Sequence, residues 1–294
     1  MPPKNIREDI QKVKDLVSFP VATTDILAAI DDENISIEKV ARLIELDVIL
    51  TTKLLRAINS SFYGLRSRVS TVQNAVSLLG VAEVGRLMIT FLLANKMSSP
   101  KLINREAFAR FWRHSVTTAS IARLIATKYY FRTAGKEFVG GLLHDFGKLV
   151  LMEISPDDYS AVEGLIKDKL YMDTIAEEEC FGINHCEAGG LLAERWRLPV
   201  NLAEIIRYHH TPKFAPMDQT LVAIVRTADL FSQLWGYGIE GDPVNLNIET
   251  DEAWQLLVSE HTALRTISFA EFSEKLKKSF DENLEFVRMM NANV

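Results

Sequence analysis

Helical spacing of apolar residues runs along almost the whole chain, and this spacing restricts the fold more than any other feature. After Ser36, a residue type that caps helix N-termini, four apolar residues fall at i, i+3, i+4 and i+7: Ile37, Val40, Ala41 and Ile44. No strand-like alternation of useful length appears in the sequence. The pattern therefore predicts an all-α protein.

Breaks in the helical spacing divide the 294 residues into parts. Polar residues and a proline interrupt the spacing at 98–100, and a loop with glycine and proline follows Gly236. After this loop, two further helices are predicted over 251–265 and 268–290. We predict three parts: an N-terminal helical bundle over residues 1–98, a second helical part packed on it over 99–240, and a C-terminal helical extension over 241–294.

Composition is that of a folded globular protein, with 48% hydrophobic and 24% charged residues. Its formal net charge of −6 argues against non-specific nucleic-acid binding, which favours a basic surface. Basic residues such as Arg42, Lys53 and Arg56 in the N-terminal helices are better explained as a solvated face. We therefore do not expect a nucleic-acid partner.

Cysteine usage and hydropathy predict a cytoplasmic protein. The two cysteines, Cys180 and Cys186, lie too close together to form a disulfide framework, which fits a reducing compartment. The first residues lack the apolar core of a signal peptide. No apolar run approaches the roughly 18 residues that a transmembrane helix needs. We expect no membrane segment.

A His-Asp pair, His144-Asp145, lies inside the apolar run around Gly141–Lys148. Burying an ionised carboxylate is unfavourable unless it is hydrogen-bonded or bound to a cation. An imidazole and a carboxylate are ordinary ligands of zinc, manganese or iron. The pair is thus either a hydrogen-bonded core pair or part of a divalent metal site.

Other histidines and a second acid enlarge the set of candidate metal ligands. Five of the six histidines lie between residues 114 and 210, and a second acid stands inside the apolar run 221–231. The candidate ligands of one metal are His114, His144, Asp145 and Asp229, while His185, His209 and His210 are candidate ligands of a second metal or acid–base groups near neutral pH. Spacing does not establish that these seven residues converge, because helix packing decides that.

Two further residue types near these ligands have more than one interpretation. Lys148 follows His144 by four residues, one helical turn, so it is a candidate phosphate contact; the alternative is a surface lysine. Cys180 and Cys186 flank His185 and are candidate soft ligands. A free cysteine is more often a small buried hydrophobe.

Several sequence blocks together resemble the HDOD family, a group of bacterial signalling proteins related to the HD superfamily of metal-dependent phosphohydrolases. The order His114, His144-Asp145, Asp229 is similar to the HD superfamily, and the added histidines are similar to its HD-GYP branch. The blocks that point to HDOD itself are Leu54–Gly64, Val76–Gly80, Phe111–Ser115, Gly141–Lys148, Glu194–Pro199 and Tyr208–His210.

The resemblance implies an all-α fold, an HD-like cavity and two functional hypotheses. The first is a signalling module that acts through a protein partner or a small phosphorylated ligand, with a cavity that is structural or that binds a ligand or metal without turnover. The second is a metal-dependent phosphohydrolase acting on a nucleotide or another phosphoester. The Gly-Tyr-Pro segment of the HD-GYP branch is replaced here by Thr211–Pro216, which argues against cleavage of cyclic dinucleotides.

Overall fold

The structure, a computed structural model, describes residues 6, 8, 10, 35–59, 63, 65, 67–97, 105–239 and 246–291. α-Helices dominate these residues, which contain no β-strand, so the all-α prediction is confirmed. None of the described helices combines the length and the apolar character that crossing a bilayer requires. The predicted break at 98–100 and most of the loop after Gly238 lie outside the described residues.

Four helices make up the described N-terminal part: α1 (Ile37–Glu45), α2 (Val48–Ile58), α3 (Val72–Leu79) and α4 (Val81–Met97). Their ends follow local sequence signals. The Ser36 side chain accepts a hydrogen bond from the Lys39 amide, and Asp47 caps α2 in the same way. Gly80 ends α3 with a φ of 83°, a conformation that favours glycine.

Eight helices form the central part, which carries all the candidate ligands. Helix α5 packs along α6 and α12, while α7 packs on α10. The central helices are α5 (Arg105–Lys128), α6 (Lys136–Leu143), α7 (Phe146–Ile154), α8 (Pro156–Lys169), α9 (Asp173–Phe181), α10 (His185–Arg195), α11 (Val200–Tyr208) and α12 (Gln219–Ser232).

The His-Asp pair occupies a turn between two helices, although the apolar run around it has the character of one continuous helix. Helix α6 ends at Leu143 and α7 begins at Phe146, so His144 and Asp145 lie between them. Asp145 stands at the N-cap position of α7, but its side chain makes no capping hydrogen bond. The turn instead directs both side chains at other helices, where their partners lie.

The C-terminal part contains four helices where the sequence predicted two. A short break at His261 and another at Asn283 divide the predicted segments. The helices α13 (Glu252–Glu260), α14 (Thr262–Arg265), α15 (Phe269–Glu282) and α16 (Leu284–Asn291) follow. α15 and α16 pack on α5, and the Trp112 indole donates a 3.4 Å hydrogen bond to the Met290 carbonyl oxygen.

Polar contacts join the N-terminal helices to the central part. The Glu83 carboxylate of α4 pairs with Arg86 of the same helix and with Arg123 of α5. It also accepts a 2.8 Å hydrogen bond from the Tyr63 hydroxyl. Around these contacts, α4 packs on α6, so the N-terminal helices support the helix that leads into the His-Asp turn.

Candidate metal centre

Five separate elements bring the seven predicted ligands into one cluster. Six of the seven are buried and the last, His210, is partly buried. His114 lies in α5, His144 and Asp145 in the turn before α7, His185 at the start of α10, His209 and His210 directly after α11, and Asp229 in α12. Tertiary packing therefore supplies the convergence that spacing left open.

A first group of donor atoms comes from His114, His144 and Asp229. Nε2 of His114 lies 3.2 Å from Nε2 of His144 and 3.3 Å from Oδ1 of Asp229. The remaining pair, His144 Nε2 and Asp229 Oδ1, is 3.8 Å apart. Two nitrogen ligands about 2.1 Å from a tetrahedral zinc ion are separated by about 3.4 Å. The group therefore has the dimensions of a site for one ion.

A second group lies beside the first and contains His185, Cys186, His209 and His210. Nε2 of His185 is 3.2 Å from Nε2 of His209 and 3.2 Å from Nε2 of His210. These separations also match ligands that share one metal ion. The histidines predicted as second-site ligands thus form a group of their own.

Asp145 lies between the two groups and turns one carboxylate oxygen towards each. Its Oδ2 is 3.5 Å from Nε2 of both His114 and His144. Its Oδ1 is 3.2 Å from Nε2 of His185 and 3.5 Å from Nε2 of His209. A carboxylate in this position is suited to bridge two metal ions, as in two-metal phosphoryl-transfer sites.

Four of the histidine rings are oriented by an acceptor at their other nitrogen. Such contacts hold the Nδ1–H form and leave Nε2 to act as a ligand. The acceptors are the carbonyl oxygens of Tyr237 for His114 (3.0 Å), of Gly141 for His144 (2.8 Å) and of Ile206 for His209 (3.1 Å), and Oε2 of Glu177 for His185 (2.6 Å).

The orientation of these rings calls for a cation in the centre. In a neutral ring whose Nδ1 carries the hydrogen, Nε2 presents a lone pair. In both the His114–His144 pair and the His185–His209 pair, two such Nε2 atoms face each other at 3.2 Å. Facing lone pairs repel unless a proton or a metal ion lies between them. The donor set therefore fits one or two divalent metals, and the His/Asp clusters are compatible with metal binding.

Sequence reasoning missed the residues that support the ligands. Glu177 of α9 is fully buried and accepts hydrogen bonds from both the ring and the backbone N–H of His185. Asp229 is held by Arg226 at 2.8 Å and by the Gln233 amide at 2.7 Å. No spacing rule links Glu177 to His185, and the run Glu177–Glu179 does not indicate which of its three acids is buried.

Lys148 is not a surface lysine, and its ammonium group contacts carboxylates of the protein. The side chain is buried, which rules out the surface lysine. Its Nζ lies 2.7 Å from Asp173 Oδ2 and 3.4 Å from Asp145 Oδ2. The ammonium group thus neutralises two carboxylates at the edge of the cluster, and its role as a phosphate contact stays a prediction.

Charge within the cluster shifts the pKa values of the ligands in opposite directions. Burial lowers the pKa of His144 to about 4. Burial acts the same way on His209, but Cys186 and Asp145 outweigh it and raise that pKa to about 9. Burial raises the pKa of Asp145, yet Lys148 and the nearby histidines hold it well below its ordinary value. A metal ion that binds His209 therefore displaces a proton at neutral pH.

A cavity of about 490 Å³ leads from the surface to the second group. The Arg207 guanidinium in its wall lies 2.9 Å from Glu194, so its charge is already partnered. The carboxylates of Glu178 and Glu187 also line this cavity, and their negative charge favours entry of a cation over entry of a phosphate. The wall includes Cys186 and His210, together with Glu178, Glu187 and Arg207.

Comparison with known proteins identifies the family. A family model of the HDOD domain matches residues 16–212, more than half of the chain. The chain belongs to the HDOD family. The resemblance carried by the sequence blocks around His114, His144-Asp145 and His209-His210 is thereby confirmed.

Two solved structures share this HDOD fold over nearly their whole length. An HDOD domain protein of unknown function from Geobacter sulfurreducens is 28% identical and has a TM-score of 0.79, with 97% of this chain and 95% of that chain covered. A Shewanella amazonensis SB2B protein described as a candidate phosphohydrolase is 20% identical, with a TM-score of 0.72 and coverage of 98% and 99%. The second likeness concerns the fold alone.

Among curated proteins, the chain is similar to an uncharacterized protein of Treponema pallidum (strain Nichols). The two are 22% identical over 220 residues, or 74% of this chain. The match spans 42% of the length of that relative. The similarity therefore concerns one part of a longer protein.

Proposed function

We propose that this HDOD protein is a signalling module whose HD-like cavity binds divalent metal without efficient turnover. One observation carries the proposal of metal binding. In two pairs of histidine rings, His114 with His144 and His185 with His209, the Nε2 atoms face each other at 3.2 Å. This arrangement is unfavourable unless a proton or a metal ion lies between the rings, and a metal ion would bind the Asp145 and Asp229 carboxylates as well. Iron, manganese and zinc all accept such imidazole and carboxylate ligands.

Restricted access supports a role without efficient turnover. The first group is buried, and the cavity touches only the second group, at Cys186 and His210. Lys148, the candidate phosphate contact, lies 2.7 Å from the Asp173 carboxylate. Lys148 is therefore already engaged by a carboxylate of the protein. A protein partner that senses the state of the metal cluster fits these features better.

A metal-dependent phosphohydrolase is the second candidate, and the position of Asp145 favours it. With one oxygen facing each group, this carboxylate would bridge two ions held by His114, His144 and Asp229 on one side and by the other histidines on the opposite side. Bound metal would polarise a phosphoryl oxygen and lower the pKa of water. Among the protein's own residues, Asp145 and Glu177 would keep the ligands in place.

Metal content of the purified protein tests the proposal. We expect near-stoichiometric iron, manganese or zinc by elemental mass spectrometry in the wild type, and a strong loss in Asp145→Asn, which removes the charge between the groups. The matched control is Asp168→Asn, because Asp168 is exposed on α8. Wild-type protein that stays metal-free after incubation with all three ions would refute the metal-binding part.

A phosphoester screen of the metal-loaded protein separates the two candidates. A metal-dependent rate that disappears in Asp145→Asn and persists in Asp168→Asn would support the phosphohydrolase. Loaded protein that turns over no phosphomonoester or phosphodiester, but binds a partner protein only in the loaded state, would support the signalling module.

A further inference from the structure

The sulfur atom of Cys186 lies among histidine nitrogens. Its Sγ is 3.9 Å from Nδ1 and 4.0 Å from Nε2 of His209. The donor atoms of Cys186, His185, His209 and His210 all lie within 4.8 Å of one another. A free cysteine that serves only as a small hydrophobe packs against apolar atoms. The neighbours of this sulfur are instead imidazole nitrogens that already have the arrangement of metal ligands.

We infer that Cys186 is a thiolate ligand that forms a Cys-His₃ site with His185, His209 and His210, to which Asp145 Oδ1 can add a fifth donor. The site takes a divalent ion with affinity for sulfur, such as Zn²⁺, Fe²⁺ or Co²⁺. This inference rests on the proposed metal-binding function and adds the identity of the fourth ligand and the class of metal.

Distances within the group agree with a tetrahedral ion. With zinc–sulfur and zinc–nitrogen bonds of about 2.3 and 2.1 Å, sulfur and nitrogen ligands are about 3.6 Å apart and two nitrogens about 3.4 Å apart. The observed separations are 4.0 Å from Cys186 Sγ to His209 Nε2 and 3.2 Å from His185 Nε2 to both other histidines. The nitrogen pairs match this geometry to about 0.2 Å, and the sulfur lies about 0.4 Å farther from His209 Nε2 than the geometry requires.

The two donor groups differ in chemical softness. The first group contains a carboxylate, Asp229, while the second contains the thiol of Cys186. Carboxylates suit hard ions such as Mg²⁺ and Mn²⁺, whereas thiolates select softer or borderline ions. The two positions of the centre therefore prefer different metals, and the thiolate position discriminates against Mg²⁺ and Ca²⁺.

Access from the surface ends at this same group. Cys186, which is buried, and His210, which is partly buried, line the cavity of about 490 Å³. Two carboxylates, Glu178 and Glu187, lie along the wall and attract cations. An ion entering from solvent therefore meets the thiol before it meets the ligands of the first group.

Cobalt spectroscopy tests the assignment directly. The full-length protein is stripped with a chelator and titrated with Co²⁺ while absorbance is recorded. Sulfur-to-cobalt charge transfer absorbs in the near ultraviolet, whereas histidine and carboxylate ligands give only the weaker visible bands. The variant is Cys186→Ser and the matched control is Cys180→Ser, because Cys180 lies outside the cluster. Circular dichroism checks that each variant is folded.

We expect the near-ultraviolet band in the wild type and in Cys180→Ser, and its loss in Cys186→Ser. Visible cobalt bands from the first group persist in that variant. Its Zn²⁺ affinity falls by at least about tenfold, the lower limit for loss of even an outer contact of a metal ligand.

Three results would overturn the assignment: cobalt binding to the wild type without the band, a band that survives in Cys186→Ser, or a band lost in Cys180→Ser instead. The first overturns this inference while leaving the proposed metal binding intact, whereas a wild type that binds no cobalt contradicts both. If Cys186→Ser fails to fold, a band that persists in Cys180→Ser still assigns the sulfur to Cys186, the one remaining cysteine of that variant, and Cys186→Ala provides a second variant.

Discussion

Single residues outside the ligand set decide how well the centre is oriented. Glu177 is the clearest case, because its carboxylate lies 2.6 Å from Nδ1 of His185 and 2.8 Å from the backbone nitrogen of the same residue. These contacts hold the ring with Nε2 towards Asp145. Carboxylates in this position raise the basicity of a ligating histidine and restrict its rotation. Glu177 therefore acts as a positioning residue.

Replacing Glu177 by Gln tests this role at the residue scale. We expect Glu177→Gln to lower the affinity for Zn²⁺ by about 10–100-fold, because the neutral amide is a weaker acceptor for the His185 Nδ1–H. Competition with a fluorescent chelator measures the affinity. Glu179→Gln is the control, since Glu179 is exposed and lies 3.7 Å from Lys169 rather than near the cluster. Equal affinities in the two variants would argue against the role.

At the scale of helices, the centre depends on how closely α7 approaches α10. Gly147 makes this approach feasible, because a Cβ added to it would overlap the carbonyl oxygen of His185 and crowd the backbone nitrogen of Gly189. The two helix starts are therefore in backbone contact. This contact places the His144-Asp145 turn beside His185.

Two glycine-to-alanine substitutions with opposite expected signs test this contact. Gly147→Ala forces the helices apart, so we expect the free energy of unfolding to fall by about 1–3 kcal/mol and metal affinity to fall with it. Gly164→Ala has no atom within 4 Å of the added Cβ and lies inside α8, so we expect a gain of about 0.5–1 kcal/mol. Urea denaturation measures both. Similar effects at the two positions would contradict the close contact.

For the molecule as a whole, the three predicted parts contribute to one continuous packing arrangement. Buried residues of the C-terminal helices belong to the same hydrophobic core as those of α5 and α12. The ring of Phe272 lies 5.3 Å from that of Tyr129 and 5.9 Å from that of Phe231. The C-terminal helices therefore pack beside the centre on α5, while the boundaries at 98 and 240 stay predictions.

The change of protein stability at acidic pH tests the ion pairs that join the N-terminal helices to α5. Burial raises the pKa of Glu83, but Arg123 and Arg86 outweigh it and hold that pKa below its ordinary value. A carboxyl whose folded pKa is lowered stabilises the protein above its unfolded pKa of about 4.3, and this contribution is lost as the pH falls through the folded pKa.

We expect Glu83→Gln to reduce the free energy of unfolding by about 2–3 kcal/mol at pH 7, because it leaves a buried ion pair broken. The stability difference from the wild type should narrow as the pH falls below the unfolded value of about 4.3, because unfolding of the wild type then takes up a proton at Glu83. Urea denaturation from pH 7 to pH 3 gives both values. The control Glu106→Gln changes a surface acid that is 82% exposed, and should differ from the wild type by less than about 0.5 kcal/mol. If the stability difference between Glu83→Gln and the wild type does not change with pH, the lowered pKa of Glu83 is contradicted.

The sequence by itself determined the helical fold, several helix ends and the identity of the candidate ligands. The helical features depend on near neighbours: the apolar spacing after Ser36, the cap at Asp47 and the helix end at Gly80. The candidate ligands follow from residue type and from the order of His114, His144 and Asp229 along the chain. Local backbone hydrogen bonding and side-chain entropy act over a few residues, so such signals can be read directly.

Only the tertiary structure decided that the ligands converge and how they are supported. His114 and Asp229 lie on α5 and α12, far apart in sequence, and their 3.3 Å contact depends on how these helices pack. The same holds for Glu177 beside His185 and for Lys148 beside Asp173. Contacts between distant segments depend on the simultaneous burial of many side chains, so the local spacing of residues does not predict them.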